Sequence, residues 1–428
     1  MLAMAHECAL SPERVGHPDA AKRQGLDSQT VTCGVTIAKS DTPLRVCFVT
    51  TGLTTGGAEM MLLKMLAHAA PSAMTATVIS LLDEGTIGPR IAALGIPVHA
   101  VGLGRRNPGA ALLRLRALVR SARPDVLQGW MYHGNLASSM AGVMGGVDAP
   151  VVWSVRQSLY DIAREKRGTA LAIRVGAPLS RRATRAVIYN SHVSARQHEA
   201  LGYSADRTIV IPNGFDTTAF APNPQARQRV RAVLGIRDEQ FVVGLSARFH
   251  PMKDHAGFLD AAAQLVGAGR DARFVLLGKG TEAASPAMRG LIESRGLQDV
   301  VSALGERADV ADIYQSFDVA CSASAWGEGF PNVIGEAMAC GVPCVVTNVG
   351  DSAALVADTG SVVSANRADL LASALGAFAD VAPEQRDALG RAARDRIEAH
   401  FSIGAVVEQY LQLYRSVAQS GRRAPETE

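Results

Sequence analysis

From Leu44 onward, short apolar runs bounded by turn residues alternate with longer segments whose apolar positions recur at three- and four-residue spacing. LRVCFVT, TATVISLL, PVHAVG, DVLQGW, VVWSVRQS and the start of AVIYNSHVSARQH read as buried strands. Helices are predicted near 60–70, 87–94, 108–121 and 134–146. TIVIPNGFDTTAF closes this half with an Ile-Pro-Asn-Gly turn. A linker helix near 224–233 opens a second series. FVVGLSA, ARFVLLGKG, VVSAL, FDVACSAS and CVVTNV are its strands, and helices fall near 254–265, 367–379 and 384–399. Such βα alternation predicts an α/β chain with doubly wound parallel sheets. FSIGAVVEQYLQLYRSVAQ is a final amphipathic helix.

At 428 residues the chain exceeds one ordinary core, so two domains are expected. The expected divisions are 43–215, 216–400 and a C-terminal helix over 401–419. Residues 1–42 show no periodicity and read as a disordered tail without chemistry, as does SGRRAPETE at the end. Hydrophobic residues at 48% with aromatics at only 5% suit helices packed on parallel sheets. A net charge of +3 gives no case for nucleic acid. No apolar run reaches the roughly 20 residues of a membrane span. The scattered cysteines at 8, 33, 47, 321, 340 and 344 fit buried thiols of a reducing cytosol. There is no Cys-x-x-Cys and no Asp-x-Asp, and His250 and His255 read as non-ligands, so no metal site is expected.

Candidate chemistry concentrates in EGFPNVIGEAMACGVPCVVTNVG, Glu328 to Gly350. Pro331 suits a first helical turn, while Gly341 and Pro343 stop the helix. Glu328 therefore lies in the preceding loop and Glu336 inside the helix. Val333, Ile334, Ala337 and Met338 form one face; Asn332, Gly335, Glu336 and Ala339 form the other. That small-residue stripe would let a ligand approach closely, and the free N–H groups at the helix start favour an anion. Upstream, TGLTTGGAE places Gly56 and Gly57 between a strand and a helix, without a Gly-x-Gly-x-x-Gly fingerprint. His133 follows DVLQGW, at the carboxyl end of a strand, where open α/β sheets bind ligands. Arg248 and Lys253 share the loop after FVVGLSA, and two cations there call for an anion such as a diphosphate.

The anchor segment resembles the Glu-x7-Glu signature of retaining glycosyltransferases of family four, and EGFPN, GEAMACG and P-CVVT agree as well. The resemblance covers roughly 45–418 and implies the GT-B fold, two Rossmann-like domains facing a central cleft. It implies donor-sugar contacts for Glu328, ribose binding by Glu336, and a diphosphate held by the backbone of Gly329, Phe330, Pro331 and Asn332. Arg248 and Lys253 match the family's phosphate pair. Gly56 and Gly57 match its Gly-Gly-Ala-Glu loop, and His133 its histidine facing the reacting carbon. Arg156 is either an acceptor contact or a surface charge. Arg307 or the backbone near Gly305 falls where the base would lie, and the last helix is expected to return to the first domain.

The function implied is retaining, metal-independent transfer from a nucleotide-diphospho-sugar, the donor substrate, with no separate cofactor. The acceptor would be a glycan or lipid-linked glycan of bacterial surface or exopolysaccharide assembly. A non-catalytic nucleotide-sugar-binding scaffold is the alternative; a dinucleotide oxidoreductase lacks its glycine fingerprint. Arg164, Arg167, Arg174, Arg181 and Arg182 accompany Leu171, Ile173, Val175 and Leu179. They offer either peripheral contact between a cytoplasmic protein and the inner membrane leaflet, or a solvated helix covering its own sheet.

Overall fold

The structure, a computed structural model, describes residues 42–104 and 108–422. The tail expected over 1–42 thus lies, apart from Thr42, outside the described residues. Seven strands form the first sheet: β1 (Leu44–Thr50), β2 (Met74–Ser80), β3 (Val98–Ala100), β4 (Val126–Trp130), β5 (Val151–Val155), β6 (Ala186–Tyr189) and β7 (Thr208–Val210). Six form the second: β8 (Phe241–Ser246), β9 (Ala272–Leu277), β10 (Val301–Ala303), β11 (Val319–Ser322), β12 (Cys344–Thr347) and β13 (Ser361–Val363).

The strand orders are β3-β2-β1-β4-β5-β6-β7 and β10-β9-β8-β11-β12-β13. Every pairing is parallel. Each sheet repeats the doubly wound order, reversing direction between its first and fourth strands. Period-two alternation explains why both faces of the first sheet are buried. Val46 and Phe48 enter one core with Leu62 and Trp130, while Cys47 and Val49 enter another with Leu115 and Leu127. Truncating a fully buried Phe such as Phe48 to Ala costs about 3–5 kcal/mol.

Two chain crossings join the sheets, and they are tied to each other. Phe215 N–H donates to Phe401 O and Ile403 N–H donates to Phe215 O, both at 2.8 Å. The last helix, Ile403–Arg422, then lays Val406, Tyr410 and Tyr414 on the first sheet's core, with Tyr414 hydroxyl donating to Gln128 at 2.9 Å. It runs through Ser420, where the sequence suggested a tail.

Two local differences bear on the site. The helix expected from 134 starts at Met131, so His133 lies in a first helical turn and not on a loop. The strand read as 151–158 ends at Val155, leaving Arg156 just beyond it. The four described cysteines are free and buried, and burial pushes the Cys47 thiol up to about 12.

Candidate functional site

Both switch points carry residues singled out above. The carboxyl ends of β1 and β4 lead to the Gly56–Gly57 loop and to His133; those of β8 and β11 lead to Arg248 and Lys253 and to Glu328. Crevices beyond the strands' carboxyl ends at such points are where open α/β sheets hold ligands.

Lys253 ends a single 3-10 turn, Pro251–Lys253, capped by His250, whose Nδ1 accepts from Met252 N–H at 3.2 Å. The next residue, Asp254, has φ 45° and caps the helix His255–Gly267 by accepting from Gly257 N–H at 2.9 Å. This double cap turns Lys253 toward the loop after β11. There its ammonium donates to Glu328 Oε1, and Ser324 hydroxyl donates to the same oxygen at 2.6 Å. The two cations of the 248–253 loop are therefore not both without an anion: Glu328 supplies one for Lys253. Arg248 is exposed and forms no ion pair among the described residues.

The loop after β11 is also the meeting line of the two domains. Tyr160 hydroxyl donates to Glu328 O at 2.9 Å. A Cβ at Gly329 would lie 2.5 Å from Ser158 Oγ, so only glycine permits this approach. Ser158 Oγ and Asn190 Oδ1 are buried with no partner among the described residues. Asp351 donates its N–H to Gly329 O at 2.9 Å, and its carboxylate accepts from His192 and Val193 N–H at 2.6 and 3.1 Å. It thereby meets the start of the helix His192–Ala200, where an acid is favoured.

The helix Asn332–Ala339 follows. At Gly335 and Ala339 its small-residue face is not open to a ligand, contrary to the sequence reading: the Phe215 ring fills the space a side chain at Gly335 would need, and Ala339 is buried. Phe330 stacks between Phe215 and Phe401 at 6.0 and 5.7 Å, so its side chain is core and only its backbone can serve a ligand. Pro331 is the N-cap. Glu336 stays 18% exposed, 4.0 Å from Lys64 and 3.4 Å from the Tyr314 hydroxyl. Burial raises its carboxyl above the usual range, with Lys64 and Tyr314 opposing. Lys64 comes from the helix Gly57–His68 of the first domain. Gly57 is exposed at its start, and Gly56 is its N-cap.

Arg156 is neither a surface charge nor an open acceptor contact. It is 8% exposed, stacks 5.3 Å from the Trp130 ring, and donates to Tyr410 hydroxyl at 2.6 Å and to Asn213 Oδ1. Asn213 Nδ2 in turn donates to Asn332 Oδ1 at 2.7 Å. His133 is half-buried and makes no hydrogen bond or ion pair with Lys253, Glu328 or Glu336 among the described residues. Arg307 is taken by Asp309 in a bidentate pair at 2.7 and 2.8 Å. Among the described residues no cluster of three His, Cys, Asp or Glu could hold a metal ion.

Sequence reasoning missed Lys64, Tyr160, Ser324, Asp351 and Tyr314. Only Lys64 left a signal, a lone cation inside the apolar run MMLLKML.

Two family models match the chain. Glycosyl transferases group 1 covers residues 226–396 and Glycosyltransferase Family 4 covers 55–219. The chain is 29% identical over 209 residues to the UDP-Gal:alpha-D-GlcNAc-diphosphoundecaprenol alpha-1,3-galactosyltransferase of Escherichia coli, covering 48% of this chain and 53% of that one. It is 33% identical over 241 residues to the D-inositol 3-phosphate glycosyltransferase of Kineococcus radiotolerans, covering 51% and 54%. The chain thus spans about half the length of these relatives. Anabaena HepE, solved in complex with UDP, superimposes with TM-score 0.76 at 23% identity, over 87% of this chain and 100% of that one. That likeness establishes the two-domain GT-B fold.

Proposed function

Since this chain belongs to the family-four, group 1 glycosyltransferases of GT-B fold, we propose that it moves a sugar from a nucleotide-diphospho-sugar to an acceptor hydroxyl with retention. The observation that carries this reading is the Lys253–Glu328 pair. Two loops after β8 and β11 bring a cation and a carboxylate together at the switch point, beneath Tyr160 of the first domain.

In the reaction the bond from C1 to the diphosphate oxygen breaks and its electrons leave with the diphosphate. The acceptor oxygen bonds to C1 on the same face, and its proton passes to the departing phosphate oxygen. Negative charge grows on that oxygen, and Arg248, Lys253 and the N–H groups at the start of Asn332–Ala339 stabilise it. Glu328 turns from Lys253 to the sugar's hydroxyls, Glu336 takes the ribose, and His133 lies on the reacting-carbon side. The Gly56–Gly57 loop closes the phosphate end from the first domain. With protein cations in this role, transfer should survive excess EDTA.

The acceptor in this reading is a lipid-linked glycan of surface or exopolysaccharide assembly, as the galactosyltransferase relative's diphosphoundecaprenol substrate suggests. A surface feature supports it. The helix Arg167–Arg182 has no acid and buries Ala172, Ile173 and Ala177. Its outer face exposes Leu171 at 62%, Val175 and Leu179 between Arg167, Arg174, Arg181 and Arg182. The neighbouring helix Met131–Gly145 adds Met140, Val143 and Met144. Apolar residues among cations suit an anionic lipid surface. No helix among the described residues is long and apolar enough to cross a membrane.

Thermal shift against UDP-, GDP- and ADP-sugars tests the donor. A donor at a hundredfold its Kd adds about 2.7 kcal/mol of stability. A radiolabel-transfer assay then separates an enzyme from a binding scaffold; binding without transfer or hydrolysis would favour the scaffold.

A further inference from the structure

We propose that the side-chain amide of Asn332 donates to the donor's diphosphate, and that Arg156, acting through Asn213, is the positioning residue that fixes which way this amide faces. The inference rests on the donor site proposed above. It follows from the polarity of one chain of hydrogen bonds. A guanidinium has only donors. Arg156 Nη2 therefore donates to the oxygen of Asn213, which leaves Asn213 Nδ2 as the donor to Asn332 Oδ1 at 2.7 Å. With its oxygen used as acceptor, Asn332 keeps Nδ2 as the donor that remains. The two ends of an asparagine amide are otherwise interchangeable by shape; here an obligate donor two residues back removes the ambiguity. Asn332 is the first residue of the helix that follows Glu328, where a diphosphate needs donors and is repelled by acceptors.

The rest of the Arg156 environment makes it a fixed support. It is 8% exposed, lies over Trp130 and holds Tyr410 hydroxyl at 2.6 Å. Among the described residues no carboxylate forms an ion pair with it, and its Nε has no partner. A buried cation of this kind is costly without an anion nearby. Bound diphosphate, relayed by two amides, supplies one. Tyr410 sits on the last helix, so that helix, the first sheet and the start of Asn332–Ala339 are held in a single chain of hydrogen bonds.

The test is calorimetric titration of wild type with UDP, GDP and ADP, followed by variants with whichever binds. Asn213→Asp keeps the acceptor for Arg156 but cannot donate to Asn332. It should weaken the Kd about tenfold without lowering the melting temperature. Arg156→Met should weaken it similarly, and Arg156→Lys, still only a donor, should recover part of the loss. In an Asn332→Ala background, Asn213→Asp should cause no further loss. Wild-type Kd in both Asn213→Asp and Arg156→Met would overturn the relay while leaving the donor site standing. Failure of wild type to bind any of the three diphosphates would overturn both.

Discussion

Lys253 donates its ammonium to Glu328 Oε1, the oxygen that also accepts from Ser324. The side chains are 17% and 9% exposed, whereas Arg248 in the same loop is exposed. The two cations should therefore fail differently. Lys253→Ala removes a charge-assisted bond worth about 1.5–3 kcal/mol and leaves a mostly buried carboxylate with one neutral donor. Melting temperature and turnover should both fall. Arg248→Ala should cut turnover a hundredfold or more with the melting temperature unchanged. Differential scanning fluorimetry and steady-state rates on the same preparations decide this. Wild-type turnover in both variants would remove the pair from the site.

Glu336 gives a pH-dependent stability. Burial raises its folded pKa above the ordinary 4.5, against the pull of Lys64 and Tyr314. A carboxyl with a raised folded pKa binds its proton more tightly in the folded state, so its contribution is present at low pH and lost as pH rises through the folded value. The ionised group is then a cost at neutral pH. Glu336→Gln should be more stable than wild type at pH 7, and no more stable below about 4.5, measured by denaturant midpoints across pH. In its proposed role at the ribose, the substitution should also raise the KM for donor with little change in kcat, because such a contact is equal in ground and transition states. A less stable variant at neutral pH with unchanged KM would contradict both halves.

The Arg167–Arg182 helix should bind vesicles containing anionic lipid at low salt and release them at high salt. At about 1 kcal/mol per cation near the surface, Arg174→Gln with Arg181→Gln should weaken binding by roughly 30-fold. Leu171→Ser with Leu179→Ser should weaken it on neutral and anionic vesicles alike. Co-sedimentation that is negligible for wild type on both vesicle types would point to an acceptor in solution.

Much of this site was legible because periodicity reports strand ends. LRVCFVT, DVLQGW, FVVGLSA and FDVACSAS are the four strands flanking the switch points, and the residues after them were candidates from that position together with their residue types and the family resemblance. What could not be read is pairing between side chains far apart in the chain. Arg156 and Tyr410 are 254 residues apart, and Asp351 and His192 are 159 apart. No local pattern in VVWSVRQS separates a buried arginine over Trp130 from an exposed one. The helix face with Gly335 misled for the same reason: small residues admit either a ligand or a ring from elsewhere, and here the ring is Phe215. His133 was misplaced by a boundary, since Met131, with φ 65°, starts its helix three residues early.

Retaining transfer at the Lys253–Glu328 switch point is tested most directly by the product itself. Wild type and Lys253→Ala are incubated with the α-linked nucleotide-sugar that stabilises the protein and with lipid-linked glycan acceptors, and nucleoside diphosphate release and the new anomeric centre are followed by NMR. Wild type should release one diphosphate per sugar transferred and form an α-linkage, and Lys253→Ala should do so at least a hundredfold more slowly. A β-linked product, or equal rates in the two proteins, would contradict it.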